Sequence, residues 1–148
     1  MSEEKIESVM RDFIEALVKR DVEKVLSFFA EDAVWVTPEG TFKGKEELKR
    51  YSTWSAQQNP DLTVRDAGIA IMVKGNRAVY EHVVGGTLQG MKWEALAMCV
   101  YEFSDEKIQH IRSVYDRLST AKQVAVARGW LAERVMSYIV KQAEKGLR

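Results

Sequence analysis

The sequence predicts an α+β domain in which a curved β-sheet closes over helices around a small-molecule pocket. Three observations carry this. Apart from a short β-rich run at Asp32–Thr37, apolar side chains recur at helical spacing from Ile6 to Trp54, the period falls to two between Leu62 and Tyr115, and helical spacing returns after Asp116. Helices, then a run of strands, then helices is the order of an α+β domain, whereas alternating strands and helices build parallel sheets. The chain has 148 residues, 46% of them apolar and 30% charged, which suits one globular domain with a substantial core.

Taken in order, Ile6, Val9, Met10, Phe13, Ile14, Leu17 and Val18 step by threes and fours, so residues 3–20 form one amphipathic helix, with Ser2 as its N-cap. Asp21 caps a short second helix whose inner face carries Val22, Val25, Leu26 and Phe29. A short strand over Asp32–Thr37 ends at the turn Pro38-Glu39-Gly40. Gly44 begins a third helix with Leu48, Tyr51, Trp54 and Gln58 on one side, stopped by Asn59-Pro60-Asp61. Four strands follow, at 62–73, 77–87, 91–103 and 107–115, joined by short turns such as Gly75-Asn76, which implies an antiparallel meander. Asp116 opens a helix over 117–127, Gly129 interrupts it, and a last amphipathic helix covers 130–145.

Lysine plus arginine number 22, as do aspartate plus glutamate, so no net field draws the chain to nucleic acid or an acidic membrane. No apolar run approaches the roughly 20 residues that span a bilayer. The N-terminus lacks the basic-then-apolar order of a signal peptide. The single cysteine, Cys99, leaves no intrachain disulfide and fits a reducing compartment, so a cytoplasmic location is expected. There is no Walker loop and no Gly-x-Ser-x-Gly elbow. Gly85-Gly86 and Gly90 lack the following helix of a dinucleotide site. Two histidines and one cysteine at scattered positions have no metal-ligand spacing. The expectation is a pocket that uses neither metal nor cofactor, a small apolar molecule as ligand, and no nucleic-acid or membrane partner.

Several segments resemble a known family. Phe29-Ala30-Glu31-Asp32-Ala33-Val34-Trp35 is similar to the F-x-x-D-A-V-W motif that leads into the first strand of SnoaL-like proteins, which belong to the NTF2-like superfamily. Gly40 to Leu48 resembles that family's G-x-x-x-G-x-x-x-L start of its third helix, and Asn59-Pro60-Asp61-Leu62 its helix stop. Gly86-Thr87-Leu88-Gln89-Gly90, Tyr101-Glu102-Phe103 through Lys107-Ile108, and Tyr115-Asp116-Arg117-Leu118 with Lys122-Gln123 resemble its later motifs. The resemblance spans roughly residues 6–125 and implies the cone-shaped α+β barrel also found in ketosteroid isomerases. It departs at Arg112, where the family has tryptophan, at Ala125, where it has glycine, and over residues 126–148, which extend beyond the family's usual end. The expected layout is a domain over 1–127 with a helical extension over 128–148.

By this resemblance Asp116 stands at the position of the acid/base aspartate of polyketide-cyclising members. A carboxylate among apolar walls loses hydration and gains basicity, but a residue just before a helix also serves as an N-cap, and both readings stand. Alternation places Tyr80, His82 and Val84 on one face, so His82 is a second catalytic candidate, to polarise a carbonyl or shuttle a proton. With a regular last strand, His110, Arg112 and Asp116 share a face. Arg112 then pairs with Asp116 or holds a substrate carboxylate or enolate, while His110 is read as structural. Trp35, Tyr51 and Trp54 are candidate pocket walls, with Phe13, Phe29, Leu48 and Met98 behind them, and Tyr51 also offers a hydroxyl to an oxyanion. Glu94 and Glu102 are read as a solvated sheet face, and Cys99 as a small buried apolar residue.

Three functions compete. The first is cofactor-free acid/base chemistry on a small apolar carbonyl compound: aldol-type cyclisation, isomerisation or dehydration. The second is a non-catalytic ligand-binding or dimerisation module. The third is epoxide hydrolysis, which needs two carboxylates and an arginine around one water and lacks its Arg-x-Asp pair here. A homodimer is expected under each, through apolar positions such as Ile111 and Tyr115 on the outer sheet face, with the 128–148 segment lying across the partner or over the pocket mouth.

Overall fold

A computed structural model describes residues 1–88 and 90–145 of the chain; Gln89 of the motif cited above and the last three positions of the expected extension lie outside the described residues. The order is α1 (Glu3–Val18), α2 (Val22–Ser27), β1 (Phe29–Thr37), β2 (Gly40–Lys43), α3 (Gly44–Gln58), β3 (Thr63–Lys74), β4 (Arg77–Leu88), β5 (Met91–Ser104), β6 (Lys107–Tyr115), α4 (Arg117–Ala127) and α5 (Trp130–Ala143). The strands form one curved, mixed sheet of six, ordered β2-β1-β6-β5-β4-β3. The four-stranded meander is antiparallel throughout, as expected, but β1 adds to β6 in parallel. This is the α+β cone.

The local reasons are ordinary. Ser2 Oγ accepts the Lys5 N–H at 3.2 Å, and α1 buries Ile6, Val9, Met10, Phe13 and Ala16. Asp21 caps α2 through the Lys24 N–H at 3.0 Å. Two expectations move. Phe29, expected on α2, opens β1 instead, because the Ile108 N–H donates to the Phe28 carbonyl at 2.8 Å and draws the chain into the sheet. The segment after the Pro38-Glu39 turn forms β2, an edge strand of four residues, too short to show a period of its own.

Curvature is built by irregularities. The β3–β4 register shifts between Asp66 and Ile71, where Gly68 has φ 50° and Ala70 has φ 51°. A Cβ on Gly68 would stand 2.0 Å from Glu81 Oε2, which accepts the Ile69 N–H at 3.0 Å, so the bulge depends on glycine there. In β6 the pairing steps from Glu102↔His110 to Phe103↔Ile108, which leaves Gln109 as an extra residue. The core sits between α1 and the concave sheet face, where Phe13 meets Phe28, Phe29, Trp35 and Tyr101 at 5.5–6.2 Å between ring centres. No helix of the described residues is long and apolar enough to cross a membrane.

Candidate functional site

The concave face does not fill completely. Beyond the Phe13 cluster it encloses a cavity of about 720 Å³, inside the roughly 300–1,000 Å³ range of small-ligand pockets. Its aromatic side is a continuous pile. Trp35 is edge-on to Tyr51 at 5.1 Å, and Tyr51 is stacked between Phe42 at 4.4 Å and Trp54 at 5.9 Å. Trp35 is held by its Nε1–H, which donates to Ser113 Oγ at 2.9 Å, and by Phe29 behind it at 5.7 Å. The expected walls Trp35, Tyr51 and Trp54 therefore all line the hollow, Trp54 at its exposed rim. The opposite side is closed by α4, through Thr120, Ala121 and Val124. That helix is tied to β5 by Gln123, which accepts the Glu94 N–H at 2.9 Å and donates to the Glu94 carbonyl at 2.7 Å.

His82 lines the cavity from β4 and is 7% exposed. Its ring stacks on Tyr80 at 4.2 Å, and its Nδ1 lies 3.2 Å from the Tyr80 carbonyl. A carbonyl only accepts, so Nδ1 carries the hydrogen and Nε2 is left as an acceptor. Burial pushes the histidine pKa below its ordinary value, against the upward pull of the Tyr80 carbonyl and the Asp66 charge. Tyr80 is in turn fixed by Asp66, which accepts its hydroxyl at 2.8 Å and an Arg11 N–H at 2.6 Å. Cys99 also lines the hollow, but burial raises its thiol to about 11, so it is a small neutral wall residue.

Glu39 is the group that the residue pattern did not single out. It occupies the β1–β2 turn and lines the cavity. Its carboxylate accepts the Tyr115 hydroxyl on one oxygen and the Tyr51 hydroxyl, at 3.4 Å, on the other. The turn is braced by the Glu39 N–H to Thr37 Oγ1 at 3.2 Å and by Arg117 Nη1 to the Pro38 carbonyl at 3.0 Å. Burial first, with the neighbouring Glu39, pushes both phenols well above the usual tyrosine range, so they remain protonated donors. Trp93 shares this wall, its ring 6.4 Å from Tyr115, and its buried indole N–H has no partner among the described residues.

Three expected site residues are not in the hollow. Asp116 is exposed, and its carboxylate accepts the Ser119 N–H at 2.8 Å as the N-cap of α4. The expectation that it sits desolvated between apolar walls does not hold, because the chain turns outward into the helix at that residue. Arg112 lies outside, paired with Glu102 at 2.5 Å. The extra residue at Gln109 inverts the alternation, so Ile108, Ile111, Ser113 and Tyr115 turn inward and Arg112 turns out. The same inversion removes Ile111 and Tyr115 from the outer face: Ile111 is 1% exposed and Tyr115 lines the cavity. Met98 is 44% exposed on the outer face, because the inward residues of β5 are Ala97, Cys99 and Tyr101.

Comparison with known proteins follows the geometry. The family model of the SnoaL-like domain matches residues 10–111. No curated protein sequence matches the chain. Solved structures with the same fold include a Xanthomonas campestris protein proposed to be a polyketide cyclase, 18% identical, with a TM-score of 0.75 over 82% of this chain and 98% of that one. An NTF2-like protein of unknown function from Burkholderia pseudomallei is 19% identical, with a TM-score of 0.72 over 84% of this chain and 98% of that one. A protein of ketosteroid isomerase-like fold from Catenulispora acidiphila, in complex with trimethylamine, is 18% identical, with a TM-score of 0.71 over 78% of this chain and 90% of that one. At such identities the likeness is one of fold.

Proposed function

The chain belongs to the SnoaL-like domain family, and on that premise we propose that it is a cofactor-independent acid/base enzyme. It takes a small, flat, largely apolar carbonyl compound into the hollow of its cone and carries out aldol-type cyclisation, isomerisation or dehydration. The observation that carries this reading is the cavity itself, of about 720 Å³, with aromatic walls and inward polar groups at His82, Glu39 and the tyrosines. Trp35, Tyr51 and Trp54 are the surfaces against which a flat ligand stacks. His82, neutral and with Nε2 free to accept, is an acid/base group that faces the ligand and takes part in its proton exchange. The fold shared with a protein proposed to be a polyketide cyclase agrees with this class of chemistry. The cytoplasm is the proposed location, in keeping with the single buried thiol.

A homodimer forms, in this reading, through the outer sheet face. There Leu96, Met98 and Val114 are 52%, 44% and 63% exposed, and Met98 pairs directly with Val114 across β5 and β6. Asp116, Arg112 and the Met98 side chain keep no part in the chemistry.

The test is α-hydrogen exchange of β-tetralone in D2O, followed by proton NMR, together with quenching of tryptophan fluorescence on binding. The protein is expected to bind the ketone and to accelerate exchange about 100-fold over free acetate, with a clear loss in His82→Ala. Binding without exchange would establish the non-catalytic reading instead. Absence of both would remove the pocket as a carbonyl site.

A further inference from the structure

We propose that Glu39, held between Tyr115 and Tyr51, is the carboxylate that removes the carbon-bound proton in this hollow. The proposal rests on the acid/base reading above and names a residue that does its proton abstraction, with His82 left to hold or return the proton at the other wall.

Four features of the geometry support it. Among the described cavity-lining residues Glu39 is the one carboxylate. No lysine or arginine forms an ion pair with it among the described residues, so its charge is not cancelled by a cation in contact. A carboxylate offers about four acceptor positions, and the two tyrosines occupy one on each oxygen. The remaining positions are open to a ligand. The backbone cannot swing the group away, because Thr37 and Arg117 brace the turn on both sides.

The step balances without any further reactant. The C–H bond next to the ligand carbonyl breaks, its proton moves to a Glu39 oxygen, and its electron pair moves into the C–C bond as the carbonyl becomes an enolate. Return of the proton to another carbon gives isomerisation, and attack of the enolate carbon on a second carbonyl of the same molecule gives cyclisation. Tyr51 from α3 and Tyr115 from β6 donate to Glu39, and Arg117 from α4 donates to the neighbouring Pro38 carbonyl. The two phenols donate to the carboxylate, one on each oxygen, and fix its direction. Tyr115 and Tyr51 are thus positioning residues.

The experiment uses nitrobenzisoxazole, whose ring opens when a base takes its ring C–H proton. The N–O bond breaks, a nitrile forms, and the released nitrophenolate is read by absorbance. The full-length protein is expected to accelerate this opening. Glu39→Gln should lose about 100-fold, and Glu39→Asp should recover part of the rate. Tyr115→Phe removes one of the two donors that aim the carboxylate, so kcat should fall with KM little changed, a split that mere loosening of the pocket would not produce. Tryptophan fluorescence quenching by the same probe checks that Glu39→Gln still folds and binds. The proposal is overturned if Glu39→Gln keeps the wild-type rate, if His82→Ala loses more of that rate than Glu39→Gln does, or if the protein shows no acceleration. Tetralone exchange that persists in Glu39→Gln would overturn this assignment alone and leave the proposed function intact.

Discussion

The β1–β2 turn and the β6–α4 junction each place one carboxylate beside the same tyrosine, and the two acids end in opposite surroundings. Glu39 reaches Tyr115 across 76 positions of sequence and lines the hollow. Asp116 follows Tyr115 directly and points to solvent as a helix cap. The difference teaches that adjacency in the chain says little about adjacency at a site. The direction of a side chain at a strand end is set by what comes next. At Asp116 the next element is a helix, whose free N–H groups claim the carboxylate. At Glu39 it is a tight hairpin that folds the acid back over the concave face.

The largest expected effect separates these two acids. Glu39→Gln should cost about 100-fold in ring opening of the probe, whereas Asp116→Asn should leave that rate within about threefold. Asp116→Ala should instead lower stability by about 1 kcal/mol, read by urea unfolding, through loss of the α4 cap. A catalytic loss in Asp116→Asn larger than in Glu39→Gln would break the comparison outright.

A second contrast divides the two faces of the sheet. Leu96→Asp with Met98→Asp should convert the expected dimer to a monomer in light scattering while leaving ligand binding intact, since both side chains lie on the outer face. The reciprocal change, Ala97→Phe, intrudes on the cavity wall and should weaken tetralone binding about tenfold or more without altering the mass.

A smaller effect is linked to pH. The folded pKa of His82 lies below its unfolded value, so the unfolded chain binds the proton first as pH falls. Its contribution to stability is complete above the ordinary value of 6.5 and is lost as pH falls from there toward the lower folded value. Chemical denaturation of His82→Gln should lack that slope. Asp66 acts in a lower window, because Arg11 and then Tyr80 hold its pKa below 3.8. The smallest effect belongs to Arg112→Ala. Its pair with Glu102 is on the surface, with side chains 48% and 27% exposed, so a change within about 0.5 kcal/mol is expected.

Much of the fold was legible because hydrophobic period is a local signal. The helices α1 and α3, the meander from β3 to β6, and the caps at Ser2, Asp21 and Asp116 all follow from residues close in sequence. So do the walls Trp35, Tyr51 and Trp54, and the inward side of His82, which lies in the regular part of β4. What was misplaced lies near irregular or short elements. β2 is four residues long, and without it Glu39 reads only as part of a turn that ends a strand. The inversion at Gln109 exchanges the faces of Arg112 and Tyr115, and nothing in the local composition announces an added residue.

The sequence by itself determined the class of fold, the order of its elements and the aromatic character of the pocket, because period and capping depend on neighbours within a few residues. Only the tertiary structure decided which acid meets the cavity and which side of β6 faces it. Those outcomes depend on one extra residue in a ladder of hydrogen bonds and on a hairpin that closes from the far end of the chain, and side-chain direction reverses with every single-residue shift of a strand.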